Sequence, residues 1–354
     1  MRIALQRLQN QLLSRQRFSA PPEVVRWFGA MQAQDYLGAL WALGLRTARA
    51  DESSVQAALV EGGVVRMHGF RGTWQFVARE DVRWMLALVG SRVIASAASH
   101  FRALALDAKT LERSCGVFTD ALEGNKELTR QEMAAALARG RIRTGGRLAL
   151  LLVHAELCGV ICSGARRGKQ ATFALLSERA PKSRPLTREQ ALAELARRYF
   201  QSRGPATERD FGWWSGLPLR DVREAIELGK AWLHGESSGG QHYFRVVDAV
   251  ASRPGSTFHL LPAFDECLVA YQDRSAFIDP SHVRAINAGG GMLKPVLVSN
   301  GRVIGTWQRK LERRRVAITV KPLRKLNARE RDGLAKVAER YAGFLGLPLR
   351  LLGA

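Results

Sequence analysis

Apolar positions recur at helical spacing in Val24, Val25, Phe28 and Met31, directly after a proline pair suited to a first turn. This predicts a helix from Pro22 to about Met31. A second helix, carrying Leu37, Leu40, Trp41 and Leu43, is expected to start after Asp35 as its N-cap. Gln32 and Gln34 fall between the two. Residues two apart point roughly 200° apart on a continuous helix but to one side of an extended segment. The two glutamines therefore share a side only if the chain leaves the helix there.

Further along, the pattern alternates helices with pairs of short strands. In residues 1–90, the start MRIALQRLQNQLL reads as an amphipathic helix. Ser53 is placed to cap a helix carrying Val55, Ala58 and Leu59 that stops at Gly62-Gly63. Strands are expected at Val64–His68 and Thr73–Val77, joined by Phe70-Arg71-Gly72, and Glu80-Asp81 opens the next helix. In residues 91–180, Thr129-Arg130-Gln131-Glu132 matches a capping box, and a helix is expected from Arg147 to Leu157. Strands follow at Val160–Ser163 and Gln170–Leu175, around the basic turn Gly164–Lys169. In residues 181–252, Thr187 and Thr207 cap helices, and Ser215-Gly216-Leu217-Pro218 makes a corner between two of them, a helix-turn-helix pattern. Strands near Ala231–Leu233 and His242–Val247 flank Gly235–Gly240, which reads as a loop.

Helices leading into a two-stranded wing, three times in series, predict three tandem winged-helix units. The alternative is a generic α+β protein with hairpins. From Arg253 the texture changes to strands at Leu260–Pro262, Pro295–Val298, Val303–Trp307 and Val316–Val320. Asn287–Gly291, Ser299-Asn300-Gly301 and Lys310–Arg315 read as turns or loops. A helix from Ala328 to Leu345 closes this part and is expected to pack back on the body. The fold class is therefore α+β, with residues 253–354 forming a small antiparallel barrel or sheet.

Composition adds a polyanionic partner. The 354 residues carry 54 Lys and Arg against 32 Asp and Glu, a formal charge of +22. Such an excess points to nucleic acid first and to an anionic membrane surface second. It implies salt-sensitive binding through counterion release. Basic residues at turn tips are the best phosphate contacts: Arg71; Arg166, Arg167 and Lys169; and Arg309, Lys310, Arg313, Arg314 and Arg315. The alternative is that these runs are solvated hairpins. The four cysteines, Cys115, Cys158, Cys162 and Cys267, form no CxxC pair, which suits a reducing cytoplasm and excludes a disulfide framework. No signal peptide or membrane span is expected.

Other chemistries find little support. The seven histidines include no HxxxH pair. His154-Ala155-Glu156 with Cys158 and Cys162 lacks the Pro-Cys-x-x-Cys element of zinc deaminases, and His154 reads as a core histidine. There is no P-loop and no GxGxxG after a strand. Trp27, Trp41, Trp74, Trp84, Trp213 and Trp214 lie on apolar faces and read as mostly core. No metal and no cofactor are expected. Gln32 and Gln34 would present two neutral amides, able to hold a water molecule, to read the edge of a base, or simply to satisfy backbone groups at a helix–helix corner.

Four segments resemble the AlkZ/YcaQ-type bacterial DNA glycosylases. They are Met31–Asp35; His68–Trp74; Gly204–Thr207 with Asp210–Leu217; and Leu261–Glu266. The resemblance covers most of the chain. It implies a C-shaped body of three winged helices plus a β-barrel, with duplex DNA carrying alkylated purines in a basic concave face. It further implies a monofunctional enzyme that removes N7-alkylated guanine, interstrand crosslinks included. The family's catalytic Gln, apolar residue, Gln or Asp maps onto Gln32, Ala33 and Gln34. The Gln-x-Gln form resembles the AlkZ branch, linked to self-resistance against a genotoxic metabolite. Asp35 lies one residue too late to be the alternative Asp. Asp265 is either an auxiliary carboxylate or a structural cap. A monomer in the cytoplasm, associated with the nucleoid and needing no protein partner, is expected. The rival readings are a winged-helix DNA-binding regulator without catalysis, and an RNA-binding protein.

Overall fold

The helix from Pro21 to Phe28 buries Val24, Val25 and Phe28 completely. It stops short of the expected Met31 because Gly29 turns the chain with φ 75°. The chain then enters a strand, β1 (Ala30–Gln32). A hairpin of β2 (Val64–His68) and β3 (Trp74–Ala78) closes around Phe70–Gly72. β1 pairs with the free edge of β3, giving the order β1-β3-β2 with Met31 opposite Phe76 and Gln32 opposite Gln75. Met31 thus fills the core from a strand, which corrects the helical expectation. The structure, a computed structural model, describes residues 3–14, 18–61, 63–181, 185–246, 257–289 and 291–353.

The helix Tyr36–Arg46 starts after Asp35, although the Asp35 side chain makes no cap hydrogen bond. For the helix Glu52–Val60 the cap is Asp51 rather than Ser53. The Asp51 carboxylate accepts from the Ser54 N–H at 2.7 Å, the reach a capping side chain needs. Gly62 of the expected stop lies outside the described residues. Residues 91–180 form helices and a small sheet ordered Leu128–Thr129, Thr172–Leu175, Ile161–Ser163. Thr129 and Glu132 make the reciprocal capping box. This part has its own apolar cluster around Phe118, Leu122, Met133, Leu137 and Leu151.

In residues 185–246 the helices Arg188–Arg203, Glu208–Ser215 and Leu219–Leu228 follow the expected corners. The Gly235–Gly240 stretch is not a loop. Leu233–Ser238 is a strand paired with Gln241–Val246, and the turn is only Gly239-Gly240. Both glycines have positive φ, 59° and 75°, as a tight two-residue hairpin requires. The polar Gly, Glu and Ser of that strand, exposed on both faces, hid it from an alternation count. Val247, and the expected boundary near Arg253, lie outside the described residues.

The C-terminal part is a five-stranded sheet in the order Leu349–Leu352, Arg315–Pro322, Arg302–Glu312, Val296–Ser299, Phe258–Leu261. Among the described residues its end strands do not pair with each other, which makes it an open sheet there and not a closed barrel. The last strand adds parallel, which corrects the all-antiparallel expectation. Lys310–Arg315 is not a free loop, because pairing runs to Glu312 opposite Arg315 and leaves only Arg313-Arg314 in the turn. Asn287–Gly289 likewise pairs with Met292–Leu293, with Gly290 outside the described residues. The helix Ala328–Leu345 packs Tyr341 and Phe344 against Trp41, ring centroids 4.9 and 5.1 Å away. Among the described residues no helix is long and apolar enough to cross a membrane.

Three buried arginines tie the first, third and last parts into one core. Arg7 donates to Asp210 at 3.3 Å and to the Pro205 carbonyl. Arg46 makes a two-pronged pair with Asp265 at 2.9 and 2.8 Å. Arg203 contacts Glu266 at 2.8 Å. Removing one member of such a pair strands a charge in a low dielectric, which makes these arginines positional constraints as well as contacts. Thiol chemistry follows the same burial. Cys162 and Cys267 are buried, and burial raises both thiols, Cys162 to about 12. Cys158 is exposed. Titration of the native protein with a colored disulfide reagent at pH 8 is expected to label Cys158 first and to leave Cys162 and Cys267 unlabelled until denaturation. Peptide mapping of the labelled protein checks this.

Candidate active site

Beyond Gln32 the chain stays extended for two residues. The Ala33 N–H donates to the Trp74 carbonyl at 2.8 Å, prolonging the ladder. The Gln34 side-chain oxygen accepts from the Trp74 N–H at 3.2 Å. The two glutamines are therefore strand-like neighbours, but they differ. Gln32 is buried, with 8% exposed. Its carbonyl oxygen accepts from the Ala33 and Gln34 N–H groups at 3.1 and 3.2 Å, and its amide donates to the Thr73 hydroxyl at 3.2 Å. Gln34 is exposed, and among the described residues its NH2 group has no protein partner. Gln32 thus shapes the segment, and Gln34 offers the donor to solvent.

Two elements far off in sequence pin this segment. The Gln32 N–H donates to Glu266 at 2.7 Å, and Glu266 is held by Arg203. Arg203 also donates to the carbonyls of Phe28 at 2.9 Å and Ala30 at 2.6 Å. On the other side Arg66 donates twice to the Ala33 carbonyl, at 3.1 and 3.0 Å, with its guanidinium 4.0 Å from the Trp74 ring centre. Thr73, Gln75, Arg66, Arg203 and Glu266 were not singled out from the sequence. Thr73 and Glu266 sit within quoted segments, whereas nothing local marks Arg66, Gln75 or Arg203. Behind β2, His68 pairs with Glu156 from the second part, and burial raises the Glu156 carboxyl. Glu156 is therefore an interface partner. Among the described residues no group of three His, Cys, Asp or Glu is placed to hold a metal ion.

The basic candidates separate in space and in commitment. Arg71 sits in the β2–β3 turn with φ 57°, its guanidinium 5.2 Å from the Trp213 ring centre. Trp213 is 41% exposed, which corrects its reading as core. Arg166 lies 4.5 Å from the Tyr36 ring centre, beside the glutamine segment. Arg167 is engaged by Glu132 at 2.9 Å and by the Glu127 carbonyl, and Lys169 is exposed. On the C-terminal hairpin Arg309 is bonded to the Tyr341 hydroxyl and Arg315 to Glu312. Lys310, Arg313 and Arg314 are exposed at the tip, next to Leu311 at 54% exposure. Asp265 is wholly buried against Arg46 and caps Glu266–Val269. It does not reach solvent beside the glutamines.

With this geometry in place, the comparisons are specific. A family model described as DNA glycosylase AlkZ-like matches residues 25–344. The chain is 24% identical, over 98% of its length and 97% of the relative's, to a Streptomyces sahachiroi protein named interstrand DNA cross-link repair glycosylase. Its fold matches the structure titled Streptomyces sahachiroi DNA glycosylase AlkZ with a TM-score of 0.81 at 23% identity, over 99% of this chain and 98% of that one.

Proposed function

We propose, because this chain belongs to the AlkZ-like DNA glycosylase family, that it hydrolyses the N-glycosidic bond of N7-alkylated guanine in duplex DNA with water positioned by Gln34 and Gln32. The observation that carries the reading is the exposed Gln34 amide on a segment held from both sides, by Glu266 and by Arg66. N7-alkylation makes guanine cationic and a good leaving group, so little general-acid help is needed. The remaining task is to place water against C1′ as the bond breaks. Oriented amides do that by positioning, not by strong basicity.

Release by water alone also fits the composition. The first lysine in the chain is Lys109. Residues 1–90 therefore carry no side-chain amine to form a Schiff base with the sugar. The three helix-and-strand parts are read as winged helices, and Lys310, Arg313 and Arg314 as phosphate contacts of the C-terminal hairpin. From the Streptomyces sahachiroi relative's name we extend the substrate to guanines joined in interstrand crosslinks. Incubation with methylated duplex DNA is expected to release free 7-methylguanine and leave alkali-labile abasic sites. A binding protein without catalysis releases none, and that result rejects the proposal.

A further inference from the structure

A cleft beside the glutamine segment is lined by Tyr36, Arg66, Ser163, Arg166, Thr172 and Arg179. Its basic members come from different parts of the chain. Arg66 stands on β2, and Arg166 on the turn that follows Ile161–Ser163. Both approach the Tyr36 ring, with the Arg66 guanidinium 5.7 Å and the Arg166 guanidinium 4.5 Å from its centre. Neither arginine forms an ion pair among the described residues; their hydrogen bonds go to the carbonyls of Ala33 and Lys169. Arg66 has five N–H donors and uses two of them, so the others are free for a ligand.

Arg7, Arg46, Arg198 and Arg203, by contrast, are each paired with a carboxylate. Here, among the described residues, no carboxylate lies within ion-pair distance of either arginine, and the charges of Glu156 and Asp35 act on Arg66 from farther off. Glu156 is held by His68, and Glu127 lies 3.6 Å from Arg179. Two residues lining the same cleft carry buried donors without a protein partner, the Ser163 hydroxyl and the Arg179 Nε. Burial, opposed by Glu156 and reinforced by Arg166, lowers Arg66 to about 10. The two like charges disfavour each other, the nearby Glu156 and Asp35 charges offset this, and an incoming anion favours the charged pair further.

We propose that Arg66 and Arg166, which both approach Tyr36 in the cleft that Ser163 also lines, form a clamp for one DNA backbone phosphate next to the nucleotide presented to Gln34. Guanidinium donors suit a phosphodiester, which only accepts hydrogen bonds. The location supplies the function. Arg66 grips the Ala33 carbonyl, between the two glutamines, so a phosphate held there is registered directly to the residues that position water. The proposal rests on the glycosylase reading for its role, though not for its measurement.

The test is equilibrium binding of the full chain to a duplex bearing a central tetrahydrofuran abasic analogue. Single methylphosphonate linkages, which are neutral, replace each phosphate around it in turn. One linkage adjacent to the analogue is expected to weaken wild-type binding about tenfold. The same linkage is expected to cost nothing further in Arg66→Gln or Arg166→Gln, while other linkages act equally on all proteins. Arg166 is on a turn, so its variant reports even where Arg66→Gln alters folding. Equal losses at every linkage in wild type and variants overturn the clamp. Competition by inorganic phosphate, compared with chloride at equal ionic strength, without any linkage effect assigns the cleft to free phosphate and also overturns it. No base is released in this assay, so a chain that fails to excise 7-methylguanine still gives a linkage map. The two readings therefore fail separately.

Discussion

Replacing Gln32 and Gln34 together by alanine is expected to lower release of 7-methylguanine from methylated duplex DNA by at least about a hundredfold, the scale of lost positioning at a reacting centre. The single variants are expected to fail differently. Gln34 is exposed, and one bond to the Trp74 N–H is its hydrogen-bonded contact with the protein. Gln34→Ala should therefore lose turnover while keeping the unfolding midpoint and the affinity for undamaged DNA. Gln32 is buried and satisfies the Ala33 and Gln34 N–H groups. Gln32→Ala leaves the Gln34 N–H without that acceptor, while the Ala33 N–H keeps the Trp74 carbonyl, and a lost hydrogen-bond partner of this kind costs about 1–3 kcal/mol. It should thus lose both turnover and thermal stability. Single-turnover kinetics and a melting curve separate the cases. A Gln34→Ala enzyme with full activity removes that side chain from the chemistry.

Breaking the pair of Arg203 and Glu266 is expected to have the largest effect on the fold. Both side chains are 1% exposed or less. Arg203→Ala leaves Glu266 buried without its cation, at a cost of roughly 3–5 kcal/mol. It also frees the carbonyls of Phe28 and Ala30, so the chain loses its hold on β1. Replacing both partners by apolar residues of similar volume, Arg203→Met with Glu266→Leu, should recover much of the lost stability because no lone charge remains. It should not recover base release, since the Gln32 N–H still lacks the Glu266 carboxylate that fixes it at 2.7 Å. Urea or thermal unfolding read beside base release checks both halves. A double variant that is stable and fully active shows that the pair serves the core alone.

Local chemistry made much of the chain readable from its residues. Thr129, Thr187 and Thr207 cap helices because a side-chain oxygen followed by Glu, Gln or Asp three residues later satisfies the first free N–H groups whatever surrounds them. The strands Val64–His68 and the helix Ala328–Leu345 fell where apolar spacing placed them. That the chain leaves the helix before the glutamines was legible only as a condition, because the break falls at Gly29 and Met31 already lies in a strand. Where a strand was polar on both faces, as in Leu233–Ser238, the pattern carried no signal and only pairing across Gly239-Gly240 made the strand.

The sequence by itself determined the basic field, the helix starts, and which residues stand at the corner where the two amides sit. Tertiary structure alone decided that Gln32 turns inward and Gln34 outward, that Arg203 and Glu266 hold the segment, and that Arg66 and Arg166 both come to Tyr36. The reason is range. Caps and periodicities are settled by groups within one or two turns of each other. The partners of Gln32, by contrast, lie 41 residues away at Thr73 and 234 away at Glu266, and such pairs are chosen only when separate elements close on a shared core.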